Sequence, residues 1–199
     1  EEIQACRDGY IYVHDMSARR DTMNCCLFDV QNVLTGGFEM GNIWYNEPKT
    51  LDVAFDVIGD IVLSAASQQY GGFTVPSVDL ILEPYAEKSY NRALAKYERL
   101  GVAADVAERE ALADVKKEFE QGFQGWEYKF NSVSSSRGDY PFITMTFGTG
   151  TKRFEKMASI AMLTVRQKGQ GKAECKKPVL FPKLVFLYDE SLHGPGGEL

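Results

Sequence analysis

Two runs set the narrowest limits on how this chain can fold: "PFITMTFG" at 141–148 and "VLFPKLVFLYD" at 179–189. Both are dense in β-branched and aromatic residues. Both read as short buried strands, and 141–148 is apolar on both faces, as buried parallel strands tend to be. Between them, 152–167 has the spacing of a helix, and a Gly- and Lys-rich loop follows it. A third run, "GYIYVHD" at 9–15, leaves a tight turn at Gly9 and ends on His14 and Asp15. Strands alternating with long helices indicate an α/β arrangement, not a sandwich. Only three or four strands can be counted, too few to close a barrel, so the sheet is expected to be incomplete.

The helices are predicted over 51–69, 78–100 and 105–130. In the first, Leu51, Ala54, Phe55, Ile58, Val62 and Ala65 recur at the 3.6-residue period. Thr50 is placed to cap it, Asp52 falls in its first turn, and Gly71 and Gly72 mark its end. The second is expected to break or restart at Pro84. The third has a capping box in Asp105 and Glu108. "VLTGGFEMGN" carries turn glycines, and 131–139, "NSVSSSRGD", is a polar loop.

The net charge of −6 argues against a nucleic-acid partner, which would call for a basic face. No apolar run reaches the roughly 18 residues of a membrane span, so a cytoplasmic protein without a membrane partner is expected. "FGTGTK" and "GQGKAE" miss the P-loop spacing and read as structural turns, and "RGD" at 137–139 reads as chance. The chain opens on Glu1 and closes on "SLHGPGGEL" without a finishing element, the pattern expected of a segment of something longer.

The cysteines are Cys6, Cys25, Cys26 and Cys175; no CxxC spacing is present, which leaves reduced thiols as the expected state. Cys25 and Cys26 are neighbours inside "TMNCCLFDV". Adjacent strand residues point apart, so at most one can face a given site. Buried cysteine often serves as a small hydrophobe, and composition alone does not separate that role from a chemical one. His14 sits at a strand end, where α/β proteins place sites, yet a lone histidine there is more often a hydrogen-bonded structural residue.

Taken in order, "GYIYVHD", "NCCLFDVQNVLTGGFEMGN", "PKT", "SQQYGGFTVPSVDLILEPY", "FQGWEYKFNSVSSSRGDYPFITMTFGTGT", "GQGK" and "KPVLFPKLVFLYD" resemble the anaerobic class III ribonucleoside-triphosphate reductases, which are glycyl-radical enzymes. The resemblance implies the N-terminal portion of a ten-stranded α/β barrel, with 1–199 a segment of one catalytic barrel domain. It implies reduction of ribonucleoside triphosphates by glycyl/thiyl radical chemistry, with formate supplying electrons in many members. Cys25, following Asn24 in the family's "NC" motif, maps onto the cysteine that works from the opposite face of the ribose to the thiyl; Cys26 takes an apolar position. His14, Asn24, Ser135 and Ser136 are expected on the substrate side. A deoxynucleoside triphosphate effector is expected near Lys49, with Asn46 and Asp60 standing where relatives carry other residues. The thiyl cysteine and radical glycine have no counterpart here and are expected beyond Leu199. No cofactor or metal is expected in this segment. The parent enzyme implies a radical-generating activase using S-adenosylmethionine and an iron–sulfur cluster, a C-terminal zinc site and a homodimer. The other reading is a non-catalytic deoxynucleotide-binding or dimerisation module of the same barrel family, in which Cys25 is only core.

Overall fold

The computed structural model describes residues 2–10, 24–69, 71–134, 138 and 140–199. A short helix α1, Glu2–Arg7, comes first and ends near Gly9 in a left-handed turn. Most of the strand expected at 9–15 lies outside the described residues. Then follow β1 (Cys26–Leu27), α2 (Val30–Leu34), and β2 (Phe38–Met40) and β3 (Ile43–Tyr45), paired as an antiparallel hairpin. Next come α3 (Leu51–Ala66), β4 (Phe73–Val75), α4 (Val78–Arg99) and α5 (Ala104–Ser132). The chain continues through β5 (Ile143–Phe147), α6 (Arg153–Lys168), the β6 (Gln170–Lys172) and β7 (Cys175–Lys177) hairpin, β8 (Lys183–Phe186) and α7 (Glu190–His193).

β1, β4, β5 and β8 form one parallel sheet in that order. Its core face carries Phe73, Val75, Ile143, Met145 and Phe147, which join α3 to α6 in one apolar cluster. Thr74, Thr144 and Thr146 alternate with them and are only half-buried. The expectation that 141–148 is apolar on both faces is therefore corrected: only one side of β5 is packed in the core. β8 is corrected too. As the last strand in the order it is an edge among the described residues, with Val185 and Phe186 exposed.

α3 ends at Ala66, short of the expected residue 69, and buries Val57 and Ile61 in addition to the predicted stripe. Thr50 makes no side-chain cap bond. Instead the Leu51 N–H donates to Ser89 Oγ (2.9 Å), whose hydroxyl donates to Glu118 Oε2 (2.7 Å). The start of α3 is thus capped from α4 and α5. Burial pushes the Glu118 carboxyl upward, against the lowering effect of the Ser89 hydrogen bond. α4 runs unbroken through Pro84, because Ile81, Leu82, Tyr85, Ala86 and Tyr90 keep one buried face across it. α5 starts at Ala104, which puts Asp105 inside the first turn; no capping box forms there, and the charge acts on the helix dipole instead.

The helices lock through Phe55. Its ring lies 4.6 Å from that of Trp126 and 5.0 Å from that of Phe123, and the Trp126 indole N–H donates to the Phe55 carbonyl at 2.8 Å. Gly122 admits this contact, since a Cβ there would fall 2.2 Å from the Phe55 ring.

Candidate active site at the amino end of the sheet

Asn24 and Cys25 enter β1 as Gly71 and Gly72 enter β4, so the two approaches lie side by side. The Gly71 N–H donates to the Asn24 carbonyl at 2.6 Å, and the Gly72 N–H donates to Cys25 Sγ at 3.2 Å. A Cβ on Gly71 would meet Asn24 Oδ1 at 2.4 Å and Cys25 Sγ at 2.5 Å, so no larger residue fits without moving the thiol. On Gly72 the same atom would meet, among the described residues, only the Phe142 carbonyl, at 3.9 Å.

Cys25 is exposed, while Cys26 is partly buried against the core, where Gln69 Nε2 donates to its sulfur at 3.1 Å. The two neighbours face apart, as strand alternation requires. The Gly72 contact uses a sulfur lone pair and leaves the Cys25 S–H free to be given away.

The same end of the sheet receives the last turn of α5. Asn131 anchors it: its Nδ2 donates to the carbonyls of Glu127 (2.7 Å) and Phe181 (2.6 Å), and its Oδ1 accepts from the Phe181 N–H. Phe142, before β5, is exposed and packs edge-on against Phe181 at 5.4 Å. Asn24 is exposed beside Cys25. His14, Ser135 and Ser136 lie outside the described residues.

The effector candidates do not all come together. Asn46 and Lys49 are both exposed just before α3. Between them Glu47 accepts from Lys88 Nζ at 3.0 Å and from the Gly36 N–H at 3.1 Å, and these bonds hold its carboxyl below the usual range. Asp60, the tenth residue of α3, lies ~14 Å along the axis from its first. It is bound to Lys129, 3.3 Å away. The rise of the helix separates Asp60 from Asn46 and Lys49.

The carboxyl end of β5 is already filled. Asp79, 1% exposed, accepts from the Gly148 N–H (2.9 Å) and the Gly150 N–H (3.2 Å) through Oδ2. With His193 Nδ1 accepting from the Asp189 N–H, its Nε2–H donates to the Gly148 carbonyl at 2.7 Å. "FGTGTK" is thus a structural turn, whose amides are bound to a side chain of the protein itself. Gly71, Gly72, Gln69 and Asp79 were missed as site-building residues. Gly71 and Gly72 read locally as the end of a helix, and only the pairing of β1 with β4 gives them their second use.

Among the described residues no helix is long and apolar enough to cross a membrane, and no group of three His, Cys, Asp or Glu is placed to hold a metal.

Residues 1–194 match the family model described as anaerobic ribonucleoside-triphosphate reductase. Curated relatives of that name are 37% identical over 193 residues in enterobacteria phage T4 and 36% identical over 198 residues in Haemophilus influenzae. The alignments cover 96% and 98% of this chain but only 31% and 27% of those proteins. Among solved structures, the fold is similar to the anaerobic ribonucleotide reductase from Thermotoga maritima in complex with dATP and CTP. The TM-score is 0.56 at 15% identity, over 81% of this chain and 27% of that one. The same protein with dATP bound in the specificity site gives a TM-score of 0.56, over 81% of this chain and 28% of that one. The parallel sheet, the cysteine pair at its amino end and a match over nearly the full length lead to one conclusion: this chain belongs to the anaerobic ribonucleoside-triphosphate reductase family.

Proposed function

We propose that this chain is the first part of the catalytic barrel of an anaerobic ribonucleoside-triphosphate reductase, and that Cys25 is the thiol that works on the ribose during reduction. One observation carries the reading. Cys25 is exposed, with its sulfur anchored by the Gly72 N–H and its S–H free, while Cys26 is packed toward the core. A hydrogen donor must above all be in position, and this arrangement supplies position. The four parallel strands, covered by helices on their core face, fit part of a ten-stranded barrel.

In the proposed reaction the 2′-hydroxyl of a ribonucleoside triphosphate leaves as water and hydrogen replaces it. Where formate is the reductant, its two electrons enter the sugar and it leaves as carbon dioxide. Asn24, His14, Ser135 and Ser136 are assigned to the substrate side. The glycyl radical of the parent enzyme, made by an S-adenosylmethionine/iron–sulfur activase, supplies the hydrogen-abstracting thiyl; this segment is assigned no residue that holds it or the zinc.

Allosteric control is assigned to a deoxynucleoside triphosphate at a homodimer interface. Exposed Lys49, which makes no ion pair among the described residues, suits its phosphates as a point charge, with Asn46 beside it. Asp60 contributes through its pair with Lys129. The protein's role is then a cytoplasmic supply of deoxynucleotides for DNA replication.

The test is Cys25→Ala in the full-length, activated enzyme. Exchange of the 3′-hydrogen with solvent should persist while deoxynucleotide formation stops. A normal product yield from that variant would sink the assignment.

A further inference from the structure

The row of residues that opens the sheet holds more than a thiol. Cys26, Phe73 and Ile143 are in register across β1, β4 and β5, so the residues before them, Cys25, Gly72 and Phe142, form the preceding row. Phe73 and Ile143 are buried in the core, which turns Gly72 and Phe142 to the opposite face. There Gly72 leaves a gap: among the described residues, a methyl group added to it would touch only one atom, at the outer limit of contact. On the near side of the gap is the exposed Cys25, and on the far side the exposed ring of Phe142.

A cation follows. Lys183 of β8 is in register with Thr144, and its Nζ lies 6.0 Å from the centroid of the Phe142 ring. The lysine therefore reaches back over the first row, and among the described residues it makes no ion pair. Thr74 and Thr144, two rows further along and half-buried, put hydroxyl groups on the same face. From β1 to β8 the row spans three strand spacings, on the order of 14 Å. Thiol, gap, aromatic ring and unpaired cation thus succeed one another along the length that a nucleoside triphosphate covers from ribose to phosphates.

We propose that Gly72 and Lys183 are substrate-positioning residues: the gap at Gly72 seats the ribose against Cys25, and Lys183 binds the triphosphate. This rests on the reading of Cys25 given above. It adds a steric requirement at Gly72 and an electrostatic one at Lys183. The ring of Phe142 between them keeps the lysine's charge out over the sheet.

The experiment uses the full-length activated enzyme with Gly72→Ala, Lys183→Met, Lys183→Arg and Cys25→Ala measured side by side. Lys183→Met should raise KM for the ribonucleoside triphosphate by about tenfold or more, the scale of one charge-assisted contact, with kcat changed far less. Lys183→Arg should restore most of that loss. Gly72→Ala should lower kcat/KM by a similar factor while leaving Tm within about 2 °C, since among the described residues its Cβ meets nothing closer than 3.9 Å. If Gly72→Ala and Lys183→Met keep wild-type KM and kcat while Cys25→Ala is inactive, this proposal is overturned and the reading of Cys25 stands. A loss in Lys183→Met that arginine does not restore also overturns it. If Cys25→Ala makes product normally, both fall together.

Discussion

The position of one thiol here depends on a residue with no side chain. Gly71 lies against both Asn24 and Cys25, and no rotamer change can make room for a Cβ at 2.6 Å from the Asn24 carbonyl, which is backbone. Gly71→Ala should therefore push the Asn24–Cys25 segment aside. The expected destabilisation is about 1–3 kcal/mol, typical of overpacking. The expected loss in turnover is larger, on the order of 100-fold, because a displacement of about 1 Å is enough to spoil a reacting geometry. Thermal unfolding and steady-state rates on the same preparation separate the two. Unchanged turnover would show that Cys25 does not depend on this approach. The opposite facing of Cys25 and Cys26 was legible in the sequence, since it needs only strand alternation. The role of Gly71 was not, because a glycine pair after a helical stripe looks the same whether it ends the helix or also meets a strand some 47 residues away.

Local pattern located α3, α4, α5 and α6 to within a few residues, because each keeps one apolar face at helical period. Their caps were much less legible. Thr50 and Asp105 are typical capping residues, yet the start of α3 is satisfied by Ser89 and Glu118 from other helices, and a sequence window cannot contain such partners. The tie between α5, α6 and the approach to β8 is of the same kind. Glu127, 4% exposed, accepts from Arg166 Nε at 2.7 Å and from Gln170 Nε2 at 2.6 Å, and Arg166 also donates to the Pro182 carbonyl. Arg166→Met would leave the Glu127 carboxylate buried beside a single neutral donor, an imbalance that costs about 3–5 kcal/mol. Replacing Glu127 with Met as well should recover most of that loss, because the uncompensated charge is then gone. Denaturant unfolding of the two variants measures the difference. A single variant within about 0.5 kcal/mol of the parent would mean that solvent already satisfies the pair.

Among the described residues the sheet has two open edges. β1 and β8 each pair on one side only among the described residues, and neither carries the bulges or dense charge that usually protect an edge. Leu27 on β1 is 77% exposed, and Val185 and Phe186 on β8 are 42% and 51% exposed. The α/β class was legible from the alternation of elements, but the exposure of 179–189 was not. A strand rich in Val, Leu and Phe reads as buried, and only its place at the end of the order reveals that nothing among the described residues covers it. Unpaired backbone beside apolar side chains favours pairing with another chain, and a net charge of −6 acts too diffusely to prevent it. The 1–199 chain by itself is therefore expected to associate as its concentration rises, which size-exclusion chromatography with light scattering would detect. Leu27→Lys together with Val185→Lys should shift it toward the monomer without loss of helix content, since both side chains lie outside the core. Association that persists unchanged in the double variant would place the contact on the helical side of the sheet, at surfaces such as exposed Val53 of α3, and not at the strand edges.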